Sequence, residues 1–275
     1  MDSELVQLLR EEYDLESVSD ECKRRILKFM RETNSVLDED IIHIKQLTKK
    51  AQYILDSDPD SLDGFLLDKL CRFVMEGILI IETRDLEGIT GYNLLSLESH
   101  LYSHLGDLAN RELEIARKSG KSIDVQIMWL ERCYDARIRS ADMCVELNPS
   151  HSAYSYGFAG DTAEKVFKLL REKGESIDVQ IMWLERCYDA RIRSADMCFE
   201  SDMLHAVHSC SFAGNAKRQL YKLTGDVDHA EEAIRCYQIF LDYYESNPNP
   251  QMNKTTRIMW KDVNYLKTCL SKTDI

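Results

Sequence analysis

Histidine and cysteine side chains at helical spacing are the first candidates for chemistry in this chain. His205 and His208 are three residues apart with Cys210 close by, and His100 and His104 are four apart. Imidazole and thiolate groups on one helical face bind a transition metal when further ligands join them. Two histidines on a helix are more often structural, so we expect neither a metal site nor a cofactor.

Common catalytic and nucleotide-binding motifs do not occur in the sequence. It has no GxxxxGK[ST], no GxGxxG after a strand, no HExxH, no GxSxG and no CxxC. These patterns place phosphate-binding amides, zinc ligands, nucleophiles and reactive thiols, respectively. We therefore expect no catalytic residues and a protein that is not an enzyme.

A 23-residue block occurs twice without change, which is the strongest pattern in the chain. Ser122–Cys144 and Ser176–Cys198 both read SIDVQIMWLERCYDARIRSADMC, at an offset of 54 (176 minus 122). At the same offset, Ser209–Gly214 matches Ser155–Gly160, and this third copy loses register after Leu223, which suggests a short deletion. Such a period indicates stacked helical units, because one unit cannot bury its apolar face alone.

Apolar spacing predicts two helices in every unit. Gly120 and Gly174 stand where a C-terminal capping glycine is expected, and Ser122 and Ser176 stand where the second helix begins. The expected pairs of helices are 97–118 with 124–147, 151–173 with 178–200, and 203–223 with 227–246.

The chain divides into three regions on this basis. We expect an N-terminal helical region at 1–96, either a cap or diverged repeats, tandem helix hairpins at 97–250, and a C-terminal capping helix at 251–275. No strand-like alternation of apolar and polar residues is present. The predicted fold class is all-α, with antiparallel helix-hairpin repeats stacked as an α-solenoid and an N-terminal helical region.

Two polar residues interrupt the apolar side of each identical block. They are Gln126 and Arg137 in the first copy and Gln180 and Arg191 in the second. A buried guanidinium must be paired, because an unpaired buried charge is costly. One interpretation is a salt bridge inside each unit, for example to Asp161 or Glu164. The other is a groove in which the arginines bind carboxylates of a partner through their bidentate fork.

Aromatic residues add further candidates. Trp129 and Trp183 either pack in the core or serve as anchors for a bound segment. Tyr154 and Tyr156 lie near His151 at the start of a predicted helix, and nothing about them specifies a reaction. The two tryptophans and two tyrosines, with the glutamines and arginines above, form the predicted partner-binding set.

Composition narrows the classes of partner and compartment. Net charge is 35 minus 48, or −13, which disfavours binding to a phosphate backbone. Nine cysteines, an odd number without a CxxC pair, suit a reducing interior, so we expect a cytoplasmic protein. The apolar run 73–81 is too short to span a membrane and contains Glu76. We expect no nucleic-acid and no membrane partner.

Helix ends of the repeat resemble tetratricopeptide repeats. The segments that resemble the second helix of that unit are Ala141–Pro149 and Ala230–Phe240, the latter with Ala233, Tyr237 and Phe240 at a small, aromatic and apolar spacing. Tyr156–Gly160 resembles the small residues of the first helix. The family's unit has about 34 residues, and this one has 54. The resemblance implies an antiparallel helix-pair solenoid whose concave face holds a peptide or protein.

These observations favour a non-enzymatic scaffold or adaptor that binds a protein or peptide through a helical-repeat surface. Acidic groups on the partner would suit the arginines. Self-association into a homodimer is left open, because solenoid ends and tryptophan-rich faces can pair. The alternative is a ligand-binding sensor or small helical enzyme with a pocket between the N-terminal helices and the repeats.

Overall fold

The computed structural model describes residues 91–273 and the single residue Val74, and side chains are described from Ser99 onward. Every regular element in this range is helical. The predicted N-terminal region 1–96 lies almost wholly outside the described residues. Its last six residues begin the first described helix, which starts earlier than the predicted position 97.

Seven α-helices and one short 3₁₀ turn make up the described range. They are α1 (Gly91–Lys118), α2 (Ile123–Cys144), α3 (Pro149–Lys173), α4 (Ile177–Cys198), α5 (Met203–Thr224), α6 (Val227–Ser246), the 3₁₀ turn Pro250–Met252, and α7 (Asn253–Thr273). Apart from the start of α1, the six predicted repeat helices begin and end within three residues of these bounds. The chain forms two compact units that divide between Asn148 and Pro149.

Loop chemistry makes each hairpin turn where the sequence predicts it. Gly120 and Gly174 have φ of 66° and 78°, in the left-handed region that favours glycine. After Gly120, the amide of Lys121 donates to the carbonyl of Ala116 at 2.8 Å, which closes the end of α1. Ser122 then begins α2, since its side chain accepts a hydrogen bond from the amide three residues later.

Packing follows the order of the helices. In the first unit α1 packs on α2, and in the second unit each of α3 to α6 packs on the next helix along the chain. The contact among α3, α4 and α5 is made of small residues, which let the helices approach closely: Ala153, Ala195, Cys198, Ala206 and Cys210. The predicted all-α class of successive antiparallel helix hairpins is confirmed for the described residues.

The C-terminal helix covers one face of α6. Larger side chains fill this contact, among them Tyr237 and Phe240 of α6 and Val263 and Leu266 of α7, all buried. An apolar cluster of this kind covers the side of the last hairpin that has no further repeat to shelter it, as expected for a capping helix.

Candidate functional site

A buried arginine crosses the middle of each of the first two hairpins. Arg137 of α2 forms an ion pair with Asp107 of α1, and its Nη1 donates to Ser103 Oγ at 2.6 Å. Arg191 of α4 forms the equivalent ion pair with Asp161 of α3. Both arginines are buried, while the two carboxylates are partly exposed. The geometry agrees with the interpretation of an internal salt bridge.

Glycine provides the space that each arginine occupies. A Cβ at Gly106 would lie 2.8 Å from Nε of Arg137, and one at Gly160 would lie 2.7 Å from Nε of Arg191. Real Cβ atoms do not come so close, so any side chain here would displace the guanidinium. The dipeptide Gly-Asp therefore recurs at an offset of 54 because the glycine admits the arginine and the aspartate pairs with it.

The third hairpin replaces the ion pair with a neutral one. Gly214 and Asn215 of α5 stand where the earlier units have Gly-Asp. A Cβ at Gly214 would lie 2.9 Å from the ring of Tyr237 in α6. The hydroxyl of Tyr237 donates to Asn215 Oδ1 at 2.7 Å. Both members of the pair differ from those of the earlier hairpins. The contact between the two helices therefore requires two side chains that fit each other, and it does not require charge.

A shift in register between α5 and α6 explains why the residue that faces Gly214 is hard to find in the sequence. The sequence number of the partner exceeds that of the glycine by 31 in the first two hairpins (137 minus 106 and 191 minus 160) and by 23 in the third (237 minus 214). The difference of eight corresponds to about one helical turn lost on each side of the loop. The short deletion predicted after Leu223 is this loss, and it moves the partner one turn toward the start of α6.

The predicted tryptophans are core residues in the structure. Trp129 and Trp183 are both buried. Arg132 and Arg186 cover their rings, with guanidinium carbons 4.9 Å and 4.6 Å from the ring centroids. Their placement agrees with core packing and leaves little ring surface for a bound segment.

The predicted glutamines hold the loops. The side-chain amide of Gln126 donates to the carbonyl of Lys121 at 3.1 Å, and that of Gln180 donates to Glu175 at 2.7 Å. Gln180 is buried and Gln126 is partly buried. Each glutamine satisfies a carbonyl just after the capping glycine, so the pair stabilises the turn between the two helices of a hairpin.

The two predicted tyrosines differ in exposure. Tyr156 is buried, with the guanidinium of Arg193 5.5 Å from its ring centroid. Tyr154 is 46% exposed, and its hydroxyl donates to Asp202 Oδ2 at 3.2 Å. Of the eight predicted partner-binding residues, all of which the structure describes, Tyr154 is the only exposed one. The binding role of the other seven stays a prediction that would require movement of buried or partly buried groups.

The serine and histidine contact beside Tyr154 is a structural hydrogen bond. His205 Nε2 lies 2.9 Å from Ser194 Oγ, and that oxygen also donates to the carbonyl of Ala153 at 2.7 Å. A hydroxyl has one proton, and here it is directed at the carbonyl. Ser194 is fully buried as well, so this pair does not form an accessible nucleophile.

The side chains of the candidate metal cluster on α5 do not meet at one point. His205 contacts Ser194, whereas His208 Nε2 lies 2.9 Å from the hydroxyl of Tyr244. Burial raises the pKa of the Cys210 thiol to about 11, which opposes the thiolate form that binds metal. Among the residues that the structure describes, no three His, Cys, Asp or Glu side chains are arranged to hold a metal ion.

Partial burial of His205 and His208 predicts sensitivity to acid. Desolvation lowers the pKa of both His205 and His208 below the usual 6.5. For His205, Asp202 and Asp161 oppose this shift and Arg191 adds to it. The unfolded chain therefore takes up protons at higher pH than the folded one. The stability that these two histidines contribute should be fully present above pH 6.5. It should be lost as the pH falls from 6.5 through their lowered pKa values.

The measurement is urea denaturation at pH 7.5 and pH 5.5, values about one unit to either side of the usual histidine pKa. The double variant His205→Gln with His208→Gln should lose less stability between the two conditions than the wild type does. His229, which is also partly buried but lies at the start of α6, offers the matched control His229→Gln. An unchanged loss in the double variant would contradict the assignment.

Exposed aromatic side chains form a feature that the sequence-based site set missed. Phe158 of α3 is 52% exposed and Phe212 of α5 is 39% exposed. With Tyr154, one turn before Phe158, they make up what we call the aromatic row. Arg191 supports Phe212, with its guanidinium carbon 4.5 Å from the ring centroid. The buried arginine thus joins three helices, through Asp161 of α3, its own α4 and Phe212 of α5.

A sequence signal for the aromatic row was present. Phe158 and Phe212 occupy equivalent positions, at the same offset of 54, in the repeated motif Phe-Ala-Gly. The glycine must face the partner helix, and a residue two positions earlier lies about 200° around the helix. Once the glycine is known to admit an arginine or tyrosine, the phenylalanine is expected to point away from that partner helix.

Comparison with known proteins assigns this chain to no family. No family model matches the chain, and no curated protein sequence matches it. Among solved structures it is similar to the "DHF58 filament" (13% identity, 84% of this chain and 98% of that chain, TM-score 0.42) and the "DHF119 filament" (14%, 83% and 98%, 0.39). A third is the crystal structure of the de novo designed helical repeat protein DHR64 (13%, 86% and 97%, 0.29).

Successive hairpins with a recurring internal pair define the described chain as a helical repeat protein. The resemblance to tetratricopeptide repeats is supported only at this coarser level, since no such family is identified. Among the described residues, no helix is long and apolar enough to cross a membrane.

Proposed function

We propose that this chain is a non-enzymatic scaffold or adaptor that holds a protein or peptide segment on its helical-repeat surface. The observation that carries the proposal is the aromatic row, in which Tyr154, Phe158 and Phe212 are exposed on two successive first helices of hairpins. Large aromatic side chains dominate the energetics of protein interfaces and are otherwise costly to leave in water.

Phe212, one member of the aromatic row, has a stiff support. Arg191 contacts Phe212 and pairs with Asp161, and Gly160 lets it pass between helices. Side chains presented on packed helices lose little conformational freedom when a partner binds, which favours affinity. The partner that fits is a segment with apolar side chains that cover the aromatic row.

Acidic groups on the partner remain a secondary proposal. Arg137 and Arg191 already pair with Asp107 and Asp161, so a partner carboxylate would have to replace an internal one. The half-exposed carboxylates leave room for such an exchange at the surface. The cytoplasm remains the proposed compartment, and the seven described cysteines, all free thiols and six of them buried, suit it.

The test is quantitative affinity capture from cells with the wild type and the double variant Phe158→Ala with Phe212→Ala. We expect partners bound by the wild type to be recovered at least about tenfold less with the variant, since two aromatic anchors of on the order of 1–2 kcal/mol each exceed the roughly 1.4 kcal/mol of a tenfold change in affinity. The matched control is Val145→Ala with Ile177→Ala, which removes two exposed apolar side chains outside the row.

Recovery that is equal for the wild type and the phenylalanine variant would contradict this site. Loss of the same partners in Arg137→Ala with Arg191→Ala, without loss in the phenylalanine variant, would instead assign binding to the arginines. The sensor or enzyme alternative places its pocket against residues 1–96, and it stays a prediction.

A further inference from the structure

The outer face of the C-terminal helix α7 is basic, in contrast to the rest of the chain. Four of its exposed cations, Lys254, Arg257, Lys261 and Lys272, fall within an arc of about 60° at the 100° spacing of a helix. The whole helix has five basic residues and one acidic residue, so its charge is 5 minus 1, or +4, in a chain of −13. Its one carboxylate, Asp262, accepts a hydrogen bond from Arg218 at 2.7 Å.

Apolar side chains adjoin this basic face. Ile258 and Tyr265 are both about half exposed and border the four cations. Within residues 99–273, none of those cations forms an ion pair. A terminal helix of a repeat protein ordinarily presents a polar outer face, because no further repeat covers it. This mixture of charge and exposed apolar surface is typical of a surface that contacts another macromolecule.

A complementary acidic stripe lies on the outer side of α4. Its four exposed carboxylates fall within an arc of about 40°: Asp178, Glu185, Asp189 and Asp196. Met182, also exposed, lies at the edge of this stripe and offers an apolar contact. The identical block repeats the stripe on α2, where the corresponding residues Asp124, Glu131, Asp135 and Asp142 are exposed too.

The basic face of α7 and the acidic stripe of α4 match in the spacing of their charged residues. The sequence numbers of Lys254, Lys261 and Lys272 differ by 7 and then by 11. Reading α4 forward, Asp178, Glu185 and Asp196 have the same intervals of 7 and 11. Both sets extend over about 27 Å of helix at 1.5 Å per residue. Three cation–carboxylate pairs can therefore align along two adjacent helices.

The match also holds in the opposite direction. Reading α4 backward, the numbers of Asp196, Asp189 and Asp178 again differ by 7 and then by 11. In the parallel arrangement Lys261 faces Glu185, and in the antiparallel arrangement it faces Asp189. Lys261 therefore meets a central carboxylate of the stripe in either case.

We propose that the basic face of α7 docks on the acidic stripe of α4, or its copy on α2, in a second copy of this chain. The surface is separate from the aromatic row, so the proposal stands independently of the proposed function. Exposed ion pairs contribute little each, so association should be weak, in the micromolar range or above, and should weaken further as salt screens the charges.

The test is sedimentation velocity of the full chain over a range of protein concentrations, at about 50 mM and about 500 mM salt. We expect the wild type to associate at low salt and to dissociate at high salt. Lys261→Glu should weaken association about tenfold or more, because it converts the central attraction into repulsion. Lys165→Glu, an exposed position on α3 with the same change in charge, is the control and should stay within about twofold of the wild type.

Mixing two variants with complementary changes makes the test specific. A variant with Glu131, Asp135, Glu185 and Asp189 all replaced by Lys removes the central carboxylates from both stripes. It should not self-associate, and mixing it with Lys261→Glu should restore association, because the unchanged basic face of the first variant meets the unchanged acidic stripe of the second. A wild type that stays monomeric at low salt, or association that Lys261→Glu leaves unchanged, would overturn the proposal. Binding of a monomeric wild type to phosphatidylserine vesicles would overturn it in favour of an anionic lipid surface.

Discussion

Trp183→Ala is expected to lower the free energy of unfolding by about 3–5 kcal/mol. The Trp183 side chain is 2% exposed and lies in the first half of α4, where helices on both sides contact that element. Truncation would remove its buried area and leave a cavity that the packed helices cannot fill, and both terms destabilise the fold. The measurement is urea denaturation followed by far-UV circular dichroism.

The other two tryptophans supply matched comparisons for the same substitution. Trp129 occupies the equivalent position in the first identical block and is 7% exposed, so Trp129→Ala should cost a similar amount. Trp260 of α7 is 41% exposed, and Trp260→Ala should change stability by no more than about 0.5 kcal/mol. Equal losses at all three positions would contradict the burial that separates them.

Local rules were sufficient for the helices and their loops. Gly120 and Gly174 adopt the left-handed conformation that glycine favours, and Ser122 and Ser176 cap the next helix as expected. Each of these signals depends on residues within about four positions of one another. The period of 54 then indicates that such hairpins pack in succession, which the second unit shows for α3 to α7.

Contacts between helices were harder to predict. The position of Arg137 alone allowed an internal salt bridge or an exposed groove, and Gly106, on the preceding helix, decides between them by admitting the guanidinium. The equivalent glycine of the second hairpin, Gly160, directs Phe158, two positions earlier, away from the partner helix. From the sequence alone, Phe158 is only a marker of the repeat, and the candidate site centres on the buried arginines.

The third hairpin shows a further limit. Alignment at an offset of 54 leads from Arg191 to position 245, whereas the residue that faces Gly214 is Tyr237. Loss of about one turn from each side of a hairpin moves partners by twice that length. Register between antiparallel helices depends on this geometry, and a linear alignment cannot show it.

The ion pair of the second hairpin should show strong energetic coupling. Asp161→Ala leaves the buried guanidinium of Arg191 without its carboxylate, and we expect it to cost about 1–3 kcal/mol. Arg191→Met should cost less, because the remaining Asp161 carboxylate is half exposed and can be hydrated. In the double variant the loss should be close to that of Arg191→Met alone, so the coupling energy should match the cost of Asp161→Ala, about 1–3 kcal/mol. Urea denaturation of the four proteins gives the cycle.

Asn215→Ala provides the neutral comparison in the third hairpin. It removes only the acceptor of the Tyr237 hydroxyl, so its cost should be about 0.5–1.5 kcal/mol, less than that of Asp161→Ala. The difference between the two costs would then measure the effect of leaving a buried charge unpaired, since the hairpins are otherwise alike. A coupling energy near zero between Arg191 and Asp161 would mean that the guanidinium is not committed to its own hairpin in solution. Arg191 would in that case be available to a partner's carboxylate, and the arginine-based site would regain support over the aromatic row.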